Sequence, residues 1–233
     1  MESVLDRVIK QNTENVNLLK TKDYNIFSVL QIQSKEVLIC RMIADLLNPR
    51  GQHGAGAEYL KIFLRDCLGM EKMDTKLADQ AIVTAEYAID DERRIDIVIE
   101  IGSYFLPIEV KIYAADQKSQ CFDYYQYAKR RDAQAKVYYL TLDGHRPGKD
   151  STSSGSQSVP EEDIVCLSFR VHILNWLKAC KSCENTGMVP ILEQFIHNIE
   201  QISGYTSEKV RNMVIDELLK SGDSLRAGMQ IAD

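Results

Sequence analysis

The most constraining feature of this chain is a set of charged residues embedded in two apolar, strand-like runs. The first is Arg94-Ile95-Asp96-Ile97-Val98-Ile99, and the second is Leu106-Pro107-Ile108-Glu109-Val110-Lys111-Ile112. Runs dominated by Ile and Val read as strands with at least one buried face. A carboxylate withdrawn from water in such a setting is costly unless it is paired or holds a metal ion. The hairpin formed by these two runs is therefore the first place to look for chemistry.

Alternation along a strand puts Glu109 and Lys111 on one face and Ile108, Val110 and Ile112 on the other. In the first run Ile95, Ile97 and Ile99 form one face, and Asp96, Val98 and Glu100 the opposite one. A two-residue Gly102-Ser103 turn sets Asp96 opposite Glu109. A four-residue loop from Gly102 to Phe105 sets it opposite Lys111. Either register places Asp96, Glu109 and Lys111 on one side of the sheet.

Two carboxylates on rigid strands suit a hard divalent cation, Mg²⁺ or Mn²⁺, with the Val110 carbonyl as a further oxygen ligand. Such an ion polarises a phosphate and makes bound water a better nucleophile. Lys111 would orient that water or offset charge on the phosphoryl oxygens. The competing reading is a plain Glu109–Lys111 ion pair on a solvated strand, and the spacing alone leaves both open.

Two helices frame the hairpin. Downstream, Gln117, Gln120, Tyr124 and Tyr127 fall on one face of a helix that starts just beyond the lysine. Gln117, Gln120 and Tyr124 are candidates for binding substrate, by hydrogen bonds to a phosphate or base edge and by stacking of the tyrosine on a base. The alternative is an amphipathic helix packing its aromatic side on the sheet, with Phe122 and Tyr125 in the core. Upstream, the run from Ser34 to Leu47 reads as a helix with Ser34 as N-cap. Its inward stripe is Glu36, Cys40, Ile43 and Leu47, with Glu36 the only charge. Glu36 either assists the metal site, directly or through water, or is a first-turn acid favoured by the helix dipole.

Arg94-Ile95-Asp96, then Ile108-Glu109-Val110-Lys111, then Gln120-x-x-x-Tyr124 together resemble the PD-(D/E)XK nuclease superfamily. The Gln-x-x-x-Tyr element resembles its RecB-like and exonuclease-like branches. The segments from Leu46 to Gly56 and from Tyr139 to Gly144 resemble one bacterial subgroup. The resemblance runs from about Asn25 to Gly204. It implies a restriction-endonuclease-like core, Asp96 and Glu109 as metal ligands, Lys111 as the catalytic lysine, Glu36 as an assisting helix acid, and Gln120 with Tyr124 on the substrate side. Arg94-Ile95 stands where the motif's name has a proline.

A chain of 233 residues accommodates one large domain. The expected organisation is N-terminal helices over 1–70, an α/β core over 81–167 and C-terminal helices over 169–233. Helix, three strands, helix and two strands predict an α/β fold with a mixed central sheet flanked by helices. Strands are expected near 81–89, 93–101, 106–112, 136–142 and 164–167. An amphipathic helix is expected at residues 1–20 and a last helix near 207–219. Gly144 to Asp163 reads as a mobile loop able to close over substrate. Trp176, Leu177, Ile191, Phe195 and Ile199 read as packing residues. The tail ends without an obvious stop, so the chain is either a piece of a longer protein or carries a tail that packs on a partner.

The net charge is −6, which argues mildly against a polyanionic partner. Between Lys111 and Lys149, however, eight Lys or Arg face four Asp, a local +4 that leaves −10 for the remainder. The basic part carries the proposed site. Six scattered cysteines read as buried thiols of a reducing cytosol. No stretch approaches the length of a membrane span. The expectation is a cytoplasmic Mg²⁺- or Mn²⁺-dependent nuclease acting on DNA, with a homo-oligomer or a protein partner joined through the C-terminal helices. The alternative is an inactive module of the same fold that binds nucleic acid or a protein.

Overall fold

The computed structural model describes residues 24–71, 74–183 and 186–204. The expected helices at 1–20 and 207–219 lie outside the described residues. Five strands form one sheet: β1 (Ile82–Ala88), β2 (Arg94–Ile101), β3 (Tyr104–Lys111), β4 (Val137–Thr141) and β5 (Ile164–Ser168), in that spatial order. β1, β2 and β3 run antiparallel, and β3, β4 and β5 run parallel. The sheet is mixed, as expected, and each strand falls within two residues of its predicted bounds.

Ile101 pairs with Tyr104, so Gly102-Ser103 is the turn and the shorter register holds. Gly102 has φ 58°, a conformation that glycine adopts without strain. The ladder's last recorded pair before the acids is Ile97–Ile108, which brings Asp96 opposite Glu109.

One face of the sheet carries α1 (Glu36–Leu47), α2 (Glu58–Asp66), α4 (Leu174–Lys181) and α5 (Val189–Ile202). Their apolar stripes join Ile97, Ile99, Ile108, Val110, Ile112 and Leu140 in one core. Trp176 sits fully buried there, edge-on to Phe63 with ring centroids 5.3 Å apart. Its indole N–H donates to the Tyr59 carbonyl at 2.8 Å, so the polar end of the ring is satisfied inside the core. The other face carries α3 (Gln120–Arg131), which packs Cys121, Tyr124 and Ala128 on Val98, Phe105, Val137 and Tyr139.

Strict alternation fails at one place. Ile95 packs with Val98 on the α3 face, not with Ile97 and Ile99. Across the ladder, Glu86 adopts φ 54°, and the recorded β1–β2 pairing steps over it from Ala85–Ile97 to Tyr87–Ile95. A non-glycine residue in the left-handed region distorts the ladder beside Asp96 and turns Tyr87 and Ile95 toward α3.

Three other expectations are corrected. Ser34 does not cap α1. The N-cap is Lys35, whose ammonium has no acceptor, and no side-chain cap forms. Residues 144–163 do not form a free loop. They include a short helix, Lys149–Thr152, and a small hairpin, Ser153–Ser154 with Gln157–Ser158, and they are hydrogen-bonded to the start of α3. Ile191 is 48% exposed and does not pack in the core, whereas Trp176, Leu177, Phe195 and Ile199 do. Among the described residues no helix is long and apolar enough to cross a membrane.

Candidate active site

The site forms where β3 ends, between the first turn of α1 on one face and the first turn of α3 on the other. Asp96 Oδ2 accepts the Val110 N–H at 2.8 Å. This bond replaces the ladder where β2 and β3 part, and it holds the Asp96 carboxylate beside Glu109. Lys111 Nζ lies 2.5 Å from Glu109 Oε1, and both side chains are nearly buried, 8% and 1% exposed. From α1, Glu36 Oε2 accepts the Ile112 N–H at 2.8 Å, which fixes the residue after Lys111. The hairpin thus brings Asp96, Glu109 and Lys111 together, and Glu36 reaches the same strand end.

The electrostatics of this cluster are unbalanced. Three carboxylates, Glu36, Asp96 and Glu109, interact with one ammonium, Lys111. Burial and then the Asp96 charge push Glu109 well above its ordinary value. Burial likewise raises Asp96, against the opposing Val110 N–H and Lys111 charge. Burial would lower Lys111, but Glu109, Asp96 and Glu36 outweigh it and hold the amine above its ordinary value. Lys111 is therefore an ammonium in the metal-free protein.

Glu109 Oε2 is buried and has no hydrogen-bond partner. Two adjoining acids that hold their protons above the ordinary range for want of positive charge, one with a buried oxygen that no donor reaches, fit a divalent cation. Hard oxygen donors suit Mg²⁺ or Mn²⁺, which keep several waters and need only one or two carboxylates. Among the described residues no three His, Cys, Asp or Glu side chains converge as a ready-made cage. Glu36 is spent on a backbone amide. The side-chain oxygens that remain for such an ion are those of Asp96 and Glu109.

The Gln120 and Tyr124 side chains lie inside rather than on the surface, 5% and 1% exposed. Gln120 Nε2 donates to the Tyr124 hydroxyl at 3.1 Å, and that hydroxyl donates to the Arg94 carbonyl at 2.5 Å. The tyrosine is buried against β2, two residues from Asp96, and is not presented for stacking on a base. Gln117 lies before α3, which starts at Gln120 after a left-handed Ser119 (φ 58°), so the expected helical stripe does not extend to it. Its side chain is exposed and accepts from Arg93 Nη1 at 2.8 Å.

Sequence reasoning missed two residues that hold this region together. Arg93 also donates to Asp123 Oδ2 at 3.0 Å and to the Lys118 carbonyl at 2.6 Å, tying the loop after β3 to the start of β2. Asp116 accepts from the Tyr139 hydroxyl and from the Gly148 N–H, both at 2.7 Å. Arg93 carried a signal, a second arginine at the mouth of the apolar run. Asp116 carried none.

Other residues considered from sequence are committed elsewhere. His53 is enclosed by its own turn, contacting the Asn48 carbonyl at 2.9 Å and accepting from the Ala55 N–H at 3.0 Å. His145 pairs with Asp143 at 2.6 Å, and Arg146 donates to the Glu161 carbonyl at 2.9 Å.

A family model of the PD-(D/E)XK nuclease superfamily matches residues 24–198. No curated protein and no solved structure matches the chain at a significant level. The mixed sheet flanked by helices is the restriction-endonuclease-like arrangement, and the matched span contains every residue of the site just described. The chain belongs to the PD-(D/E)XK nuclease superfamily.

Proposed function

We propose that this protein is a divalent-metal-dependent nuclease that hydrolyses phosphodiester bonds of DNA, with its reaction centred on Asp96, Glu109 and Lys111. Family membership supports a nuclease in general. The observation that carries the finer reading is the buried, unpartnered Glu109 Oε2 beside Asp96.

Asp96, Glu109 and the Val110 carbonyl would hold Mg²⁺ or Mn²⁺. A cation held there would supply Lewis acidity, which would polarise the phosphate and lower the pKa of a water molecule. Lys111, kept charged by its carboxylate neighbours, donates to the attacking water or to a phosphoryl oxygen as negative charge builds. It does not act as the base in that state. Glu36 fixes the peptide after Lys111, and Tyr124 fixes the strand that carries Asp96. Both keep the reacting groups in place, so small displacements are costly in rate.

The test is cleavage of labelled single- and double-stranded DNA, with RNA alongside, in Mg²⁺ or Mn²⁺, comparing the native chain with Lys111→Ala. Metal-dependent cleavage that is lost in the variant supports the reading. Cleavage that survives Lys111→Ala, or proceeds fully in a chelator, overturns it. The Glu109–Lys111 pair also gives the inactive-module reading an observation of its own, because part of the cluster is satisfied without metal. A folded protein that takes up no Mn²⁺ and cleaves nothing would favour that module.

A further inference from the structure

Most described lysines and arginines are already committed. Arg41 pairs with Glu86, Lys61 with Glu58, Arg65 with Asp66, Lys129 with Asp163, Arg131 with Glu100 and Lys181 with Glu193. Lys136, Arg146 and Arg170 donate to backbone carbonyls. Surface pairs of this kind contribute little to stability.

Among the described residues, the exposed cations with no such hydrogen-bonded or ion-paired partner are Lys35, Lys76, Arg94, Lys118, Arg130 and Lys149, and Arg130 lies over the Tyr127 ring at 5.5 Å. Lys35, Arg94, Lys118 and Lys149 lie on segments tied to the acidic site, whereas Lys76 is on the short helix Thr75–Ala78 and Arg130 is in the last turn of α3. Lys35 is the N-cap of α1, one residue before the Glu36 that binds the Ile112 N–H. Arg94 is two residues before Asp96 on β2, a separation of about 7 Å along an extended strand. Lys118 and Lys149 are brought to the same rim by backbone bonds. The Lys118 carbonyl accepts from Arg93, the neighbour of Arg94. The Ser119 N–H donates to the Asp150 carbonyl at 2.7 Å, and the Gly148 N–H donates to Asp116. Lys118 and Lys149 therefore sit on two segments stitched together at that point.

We propose that Lys35, Arg94, Lys118 and Lys149 form a phosphate rail, with Lys35 on one side of the Asp96–Glu109 site and Arg94, Lys118 and Lys149 on the other, that seats the sugar-phosphate backbone of the nucleic acid across it. The proposal deepens the nuclease reading and rests on it for the identity of the ligand. An acidic body repels a polyanion. Unneutralised cations gathered at the rim of the site give the strand a favourable path. Contacts of this kind position the backbone and carry no sequence information. They release counterions, so binding must fall with salt.

The experiment measures binding of fluorescein-labelled oligonucleotides, single- and double-stranded, by anisotropy in EDTA over a range of salt. The full chain is compared with K35Q/R94Q/K118Q/K149Q and with Lys76→Gln as the distant control. All five side chains are exposed, so the melting temperature is expected to stay at the native value. Each single variant is also measured, so that a fold defect in the combination leaves the question answerable.

The expected result is affinity weakened at least about tenfold at low salt in the quadruple variant, with the log–log salt slope reduced by about 0.7–0.9 per cation removed. Lys76→Gln is expected to bind like the native chain. Where cleavage is seen, the quadruple variant raises KM and leaves kcat near native. An unchanged salt slope and affinity in the quadruple variant, or an equal loss in Lys76→Gln, overturns the rail. Tight rail-dependent binding without cleavage in any metal keeps the rail and refutes the nuclease reading, so the two fail separately.

Discussion

The two faces of the sheet are held by different forces. On the side of α1, α2, α4 and α5, the core is aliphatic and aromatic, and Trp176, Phe63, Phe195, Ile39 and Leu60 are almost fully buried. Packing there is non-directional, and its energy follows buried area and the absence of voids. On the side of α3, tyrosines dominate and their hydroxyls are aimed. Tyr124 donates to the Arg94 carbonyl, Tyr139 to Asp116, and Tyr125 to Asp163 at 2.7 Å. Tyr87 and Tyr127 share a hydrogen bond at 3.2 Å and flank Phe105. One face supplies stability, and the other fixes positions. The acidic site lies at the edge where the positioning face begins.

That division predicts separable effects. The largest is on chemistry. Asp96→Asn is expected to reduce metal-dependent cleavage by at least ~10²–10³-fold. The same change is expected to raise metal-free stability by ~1 kcal/mol, about 2–4 °C in melting temperature for a chain this size. The amide can still accept from Val110 and can donate to the orphaned Glu109 oxygen, and the charge repulsion is removed. The gain should grow with pH. Both carboxyls sit above their ordinary values, so the folded chain binds these protons more tightly than the unfolded one. Their favourable contribution is present below the ordinary carboxyl range and is lost as pH rises through the raised values. Denaturant melts of both proteins in EDTA, from about pH 5 to about pH 8, test this linkage. A constant or shrinking difference would contradict it.

The next effect belongs to the opposite face. Trp176→Ala is expected to cost ~3–5 kcal/mol, because it empties a large core volume and leaves the Tyr59 carbonyl without its donor. The variant should retain near-native kcat in whatever fraction stays folded. A kcat loss matching that of Asp96→Asn would break the division between faces.

Smaller effects sharpen the boundary. Tyr124→Phe removes one buried donor and leaves the Arg94 carbonyl and the Gln120 amide short of a partner, at ~1–3 kcal/mol. Its ring still packs, so the expected signature is a fall in kcat beyond that of any apolar core variant of equal stability. The least is His172. Burial lowers its pKa below 6.5, and Nδ1 accepts the Ser168 N–H at 3.0 Å. Its contribution is present above 6.5 and is lost as pH falls through the depressed value. His172→Gln is expected to reduce acid sensitivity slightly in melts and leave cleavage untouched.

Much of this arrangement was legible in residue order. The Ile-Val runs gave the strands and narrowed their connection to two registers, of which the Gly102-Ser103 turn is the one formed, and period-two alternation put Glu109 with Lys111. The Ile95 reversal was not legible, because it follows from the backbone of Glu86 on a neighbouring strand. The burial of Gln120 and Tyr124 was hidden for a similar reason. Helical spacing identifies a face but does not say whether sheet or solvent meets it. Residues 144–163 looked free because their composition is Ser- and Gly-rich. What orders them is long-range, in bonds from Asp116, Ser119 and Cys121 that no local pattern encodes.

The most direct measurement is calorimetric titration of Mn²⁺ into the metal-free chain, with Asp96→Asn and Glu109→Gln in parallel and circular dichroism on all three. The expected result is saturable binding to the native chain that both substitutions abolish without loss of fold. Native protein that is folded and shows no Mn²⁺ heat, or binding undiminished in the two variants, would mean that Asp96 and Glu109 are not a metal centre.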